Sequence, residues 1–165
     1  MKEGIAGKAI YRKDYMAYPW IVRQLDLHFD IGIETTTVRA EMEFLLKDGI
    51  ESGGCIVLNG SDFLWLSMTR VGRVLSADDL VIDVETMTSP SVLDRCVLKS
   101  EVIIHPGSNS ALEGLYLSGE FLLTQCEAQG FRKITWFPDR PDVMTTYRVT
   151  IEADKSGFPV MLSNG

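Results

Sequence analysis

A chain of 165 residues, 45% hydrophobic and 24% charged, is long enough to bury one sizeable core and too short for two. Its 16 Lys and Arg against 23 Asp and Glu leave a net charge of −7, a mean field that repels nucleic-acid backbones and anionic membrane surfaces and suits a cationic ligand group. No window approaches the ~18 consecutive apolar residues of a membrane helix, and Met1 to Lys8 holds no apolar signal core, so neither a membrane span nor a secretory leader is expected.

In chain order, Leu25, Leu27, Phe29, Ile31 and Ile33 alternate with polar residues or glycine, the period of a half-buried strand, and Val38, Ala40, Met42 and Phe44 repeat the pattern to complete a hairpin. The apolar run Cys55 to Leu58 ends at Asn59-Gly60, a dipeptide suited to positive φ angles, and Phe63 to Met68 resumes the apolar character. A second hairpin is expected there, with Asn59-Gly60-Ser61 read as a turn and not as a glycosylation site. Leu80, Ile82 and Val84 alternate, Glu101–Ile104 and Phe121–Thr124 fit short strands between glycine turns, and Tyr147, Val149, Ile151 and Ala153 alternate again. Only Asp139 to Met144 reads as helical, with Asp139 at the cap, Pro141 in the first turn and Asp142 at the positive end of the dipole. Phe158 to Leu162 reads as a last strand before the turn signal Asn164-Gly165. The expected class is all-β, a curved double sheet or β-sandwich of mostly antiparallel strands with one short helix near 140–146.

Candidate chemistry is sparse. His28 and His105 are far apart with no HExxH string, so they read as structural residues and no metal ligand is expected. There is no serine nucleophile motif and no phosphate-cradling loop, so no catalytic residue is assigned. Cys55, Cys96 and Cys126 form no CxxC pair and read as buried thiols of a reducing compartment, which points to a cytoplasmic location. Trp20, Trp65 and Trp136 lie on different strands and read as core rather than as a stacking platform.

The strings Asn109-Ser110-Ala111-Leu112-Glu113-Gly114-Leu115-Tyr116-Leu117-Ser118, Thr124-Gln125-Cys126-Glu127-Ala128, Gly130-Phe131-Arg132-Lys133-Ile134-Thr135 and Asp139-Arg140-Pro141-Asp142-Val143-Met144 follow one another in order. With Ile151 to Lys155 and Leu162 to Gly165, they resemble the amino-terminal domain of the bacterial- and plant-type aminopeptidase N (alanyl aminopeptidase) family of zinc exopeptidases. The resemblance is dense over 105–165 and looser before it. It implies that residues 1–165 are an amino-terminal β-domain, shortened at its C-terminal end, that packs against the parent's own catalytic domain. It further implies that the zinc of the parent lies outside this chain, and that Glu127 pairs with the free amino terminus of a peptide while Gln125 lines the pocket for the first side chain. The chemistry fits, because an amine with a pKa near ~8 is largely protonated at neutral pH and gives a carboxylate a charge-assisted hydrogen bond that an internal amide cannot. Asp139 and Asp142 are read as helix caps, and Arg132 and Arg140 as ion-pair partners of nearby acids. The family usually has Glu where this chain has Gln129, and seldom has a proline at the position of Pro138. The rival reading is a freestanding β-sandwich that binds a ligand or another protein.

Overall fold

The computed structural model describes residues 11–51, 54–90 and 94–164. Its backbone is mostly strand: β1 (Trp20–Ile31), β2 (Thr36–Leu46), β3 (Ile56–Asn59), β4 (Leu64–Arg70), β5 (Arg73–Val74), β6 (Val81–Ile82), β7 (Thr86–Ser89), β8 (Arg95–Ile104), β9 (Gly114–Ser118), β10 (Phe121–Gln125) and β11 (Thr146–Ala153). They form a six-stranded sheet of order β11-β1-β2-β8-β4-β5, a three-stranded sheet β3-β7-β6 and the β9-β10 ribbon. All pairings are antiparallel except β11 against β1.

Period-two patterning decides which face of the large sheet is dry. Val38, Ala40, Met42 and Phe44 of β2 and Cys96, Leu98, Val102 and Ile104 of β8 point inward and are buried. On β1 the inward set is Trp20 and Val22 and then Leu25, Leu27 and Phe29, a change of phase. The register slips between Val22 and Gln24, so one extra residue is absorbed as a bulge and both apolar sets reach the same core. Ile56 and Leu58 of β3, Met87 of β7 and the segment Ile134, Trp136 and Phe137 cover this face from the other side. The outer face carries cross-strand ion pairs, Lys99 to Glu41 at 2.7 Å, Arg39 to Glu101 at 2.9 Å and Arg148 to Asp26 at 3.6 Å, over a shallow cavity of about 430 Å³.

The first hairpin, β10 and β11 form as expected, and the strand expected over Glu101–Ile104 is the end of the longer β8. The second expected hairpin does not form. β3 pairs with β7 and β4 pairs with β8, in different sheets. Asn59 is held in an isolated bridge, its N–H donating to the Phe137 carbonyl (2.7 Å) and its carbonyl accepting from the Phe137 N–H (3.0 Å). Gly60 is therefore not a left-handed turn residue. A Cβ there would fall 2.6 Å from the Phe63 ring and closer still to the Trp136 ring, so it is a point of close approach.

Nor is there a helix over 139–144. Each carboxylate that would have capped one is claimed from elsewhere: Asp139 by Arg132, and Asp142 by Arg140, the Tyr18 N–H and the Tyr15 hydroxyl. Pro141 and Asp142 sit in a turn instead, with the Val143 N–H bonded to the Arg140 carbonyl at 3.1 Å. The helices among the described residues are single 3₁₀ turns, at Arg12–Asp14, Ala77–Asp79, Pro106–Ser108 and Phe131–Lys133. Leu80, Ile82 and Val84 contribute only the two-residue β6, with Val84 outside it and exposed. Phe158–Leu162 is not a strand. The Gly157 and Phe158 N–H groups both turn back to the Asp154 carbonyl, and Val160, Met161 and Leu162 are exposed.

Candidate functional site

Gln125 ends β10 and Glu127 lies two residues on, in the turn 127–130. The β9-β10 ribbon brings them there, with Gln125 opposite Gly114 in its register. Phe121, Leu123 and Gln125 share one face of β10 by alternation, and Phe121 and Leu123 are 70% and 46% exposed, so an apolar strip leads directly to the two polar residues.

The loop closes on itself and onto its neighbours through backbone contacts. The Gly130 N–H donates to the Cys126 carbonyl at 2.9 Å. A Cβ on Gly130 would lie 2.7 Å from the Gln125 carbonyl oxygen, 3.0 Å from Cys126 Cα and 3.3 Å from the Gly114 nitrogen. Gly114 has φ +71°, and its own missing Cβ would press on Lys133 Cβ at 2.9 Å. The loop and the start of β9 therefore meet without side chains between them. The Glu127–Ala128 peptide is cis.

Behind the loop, Cys126 packs against the core and burial pushes its thiol up to about 11, with the Asp139 carboxylate adding to the shift. Phe131 stands edge-on to Phe137 (ring centroids 4.9 Å) and to Tyr147 (5.9 Å). Asp139, only 8% exposed, accepts from both the backbone N–H and the Nε of Arg132 at 3.1 Å, while its own N–H donates to Asn59 Oδ1 at 3.1 Å. Arg132 also reaches Glu85 at 3.5 Å, and Lys133 pairs with Asp62. Sequence reasoning read Arg132 and Arg140 correctly as ion-pair partners and Asp139 and Asp142 wrongly as helix caps.

Gln125 and Glu127 are exposed, and neither side chain has a hydrogen-bond or ion-pair partner among the described residues. The carboxylate is thus free to accept a donor from outside the chain. Two cavities, one on the outer sheet face and one beside Asp62, His105, Ser108 and Lys133, are lined by neither residue. No group of three or more His, Cys, Asp or Glu among the described residues could hold one, and the histidines are engaged separately, His28 with Glu152 (3.4 Å) and His105 Nδ1 with the Glu34 carbonyl (2.9 Å). The three cysteines are free, and Cys55 is exposed, against the expectation that all would be buried; Cys96 fits it, with a thiol pushed up to about 11 by burial. Trp20 and Trp136 are core and Trp65 packs against it, so the three tryptophans form no stacking platform for the rival ligand-binding reading. No helix among the described residues is long and apolar enough to cross a membrane.

A family model described as the Peptidase M1 N-terminal domain matches residues 23–165. Aminopeptidase N of Caulobacter vibrioides is 44% identical over 158 residues, and that of Escherichia coli 38%, each alignment covering 96% of this chain and 18% of the relative. The chain thus spans about a fifth of the length of the curated relatives it matches. Among solved structures, Legionella pneumophila aminopeptidase A in complex with aspartic acid superposes with a TM-score of 0.83 at 25% identity, over 93% of this chain and 18% of that one. An M1 zinc metallopeptidase mutant from Deinococcus radiodurans bound to a Tyr-Ser-Ala substrate shares the fold, with a TM-score of 0.66 at 15% identity over 82% of this chain and 33% of its own.

Proposed function

The chain belongs to the family of M1 peptidase amino-terminal domains, and from that premise we propose that it walls one side of an aminopeptidase's substrate cavity, with Glu127 receiving the free α-amine of a peptide and Gln125 flanking its first side chain. The observation that carries this reading is a carboxylate without an internal partner, at the end of a strand whose exposed apolar face leads up to it, on a loop whose base is tightly packed. A solvent-exposed ion pair is worth little, about 0–1 kcal/mol, because water screens it. The same pair gains strength when a partner surface excludes water. Phe121 and Leu123 support that partner being the catalytic domain of a longer polypeptide, which would cover them and desolvate Glu127 in one step. In this reading hydrolysis and its zinc belong to that partner; among the described residues no group of three or more His, Cys, Asp or Glu could hold a metal ion.

A neutral glutamine at position 125 contacts a side chain without adding a second charge, so the amine reads one carboxylate. In the longer polypeptide, Glu127→Gln is expected to lower kcat/KM on free-amine peptides by roughly 10- to 100-fold, the equivalent of about 1.5–3 kcal/mol for a hydrogen bond to a charged group. Unchanged kcat/KM in a folded variant would refute the assignment.

A further inference from the structure

We infer that Gly130 is a positioning residue for the Glu127 carboxylate, and that the buried Asp139–Arg132 pair fixes the platform on which Gly130 sits; the inference rests on the assignment of Glu127 made above. Gly130 has φ −84° and ψ −11°, angles open to any residue, so its lack of a side chain is not explained by the backbone conformation. It is explained by space. The contacts a Cβ would make are with the Gln125 carbonyl and Cys126 Cα, the two backbone units that precede Glu127, and with the Gly114 nitrogen on the facing strand. Separations of 2.7 and 3.0 Å to backbone atoms cannot be relieved by a rotamer change, so a side chain here must displace the backbone that carries Glu127.

The platform beneath is tied down by independent bonds. Arg132, two residues beyond Gly130, gives its backbone N–H and Nε to the same Asp139 oxygen, and its Nη2 to the Asp139 carbonyl at 3.2 Å. Asp139 is in turn hung from Asn59 at the end of β3. The Lys133 N–H returns to the Gly130 carbonyl at 3.1 Å, and the Ser61 N–H to the Arg132 carbonyl at 3.0 Å. The loop that presents Glu127 is therefore located relative to the core and not only to its own ribbon. A carboxylate that must meet an amine loses much of its advantage when displaced by about 1 Å.

The test is a double-mutant cycle in the longer polypeptide, with thermal unfolding run alongside. Gly130→Ala is expected to raise KM for a free-amine peptide about 10-fold with little change in kcat. It should also cut, by a similar factor, the preference for phenylalanine amide over 3-phenylpropanamide as competitive inhibitors, which differ only in the amine. In a Glu127→Gln background the same substitution should cost less than twofold, because the carboxylate it displaces is gone. A Gly130→Ala protein with undiminished amine preference, or losses that multiply with those of Glu127→Gln, would overturn the inference while leaving Glu127's role intact. A silent Glu127→Gln would instead sink the reading of the site, and this inference with it. Should Gly130→Ala fail to fold, Asp139→Asn, which keeps the shape and removes the charge, is put through the same cycle with the same expectations.

Discussion

At the scale of single residues, the side chains that matter most are those that gather several partners at once. Asp142 is the clearest, joining its near neighbour Arg140 to Tyr15 and Tyr18 more than 120 residues away. Its carboxyl is held well below the usual carboxylate range, chiefly by the hydrogen bonds from Arg140 at 2.8 and 2.9 Å, with the Tyr18 N–H and Tyr15 hydroxyl contributing. Because the folded state prefers the charged form, the stabilisation is fully present above the unfolded pKa of about 4 and is lost as pH falls from there toward the lower folded value. Asp142→Asn should lower stability by about 1 kcal/mol at pH 7, and urea titrations at pH 7 and pH 3 should show its deficit shrinking with acid. A deficit that grows with acid would contradict that account. Gly60→Ala should cost about 1–3 kcal/mol by forcing Trp136 and Phe63 apart, read as a lower urea midpoint with an unchanged slope. The thiols differ too. With Cys96 and Cys126 both pushed up to about 11, a disulfide reagent at pH 8 should modify exposed Cys55 first, and Cys55→Ser should remove the fast phase.

At the scale of elements, what could be read in the sequence is what alternation alone decides. β1, β2 and β11 were visible because one face of each alternates cleanly, and β1 remained visible despite its bulge because Leu25, Leu27 and Phe29 lie beyond it. The hairpin expected at Asn59-Gly60 and the helix expected at Asp139 failed for one shared reason. The local signals were real, but Asn59 exchanges backbone bonds with Phe137 and takes the Asp139 N–H on its side-chain oxygen, contacts that no local window contains. Gln125 and Glu127 were singled out through resemblance and not through pattern, since an exposed acid after a short strand has no signature of its own. Gly130, whose importance is a matter of distance, carried no sequence signal at all. Among the strands, β11 is bounded by a partner on one side only, and Val149 on its inner face is 38% exposed where Leu27, its neighbour on β1, is 4% exposed. Native-state hydrogen exchange should therefore find β2 and β8 amides the slowest and alternate β11 amides, those turned away from β1, among the fastest in strands. Uniform protection across β11 would show that its free edge is covered.

At the scale of the whole molecule, the acidic balance and the exposed apolar strip of β10 divide the surface into a face that stays wet and a face that invites a partner. In the longer polypeptide, Phe121→Ser with Leu123→Ser should loosen domain docking and reduce thermal cooperativity, while leaving the isolated domain's melting point within a few degrees, because neither side chain is in the core. An equal fall in both would place the strip in the domain's own stability instead. The parallel pairing of β11 with β1 has a consequence for biosynthesis. Thr146 lies beside Gln24, so the flank of β1 waits for a neighbour translated 122 residues later. Until then a nascent chain presents Leu25, Leu27 and Phe29 beside an unfilled edge. Chaperones that shield such edges on nascent chains would be expected to dwell on this domain until β11, through Ala153, has emerged to pair with β1.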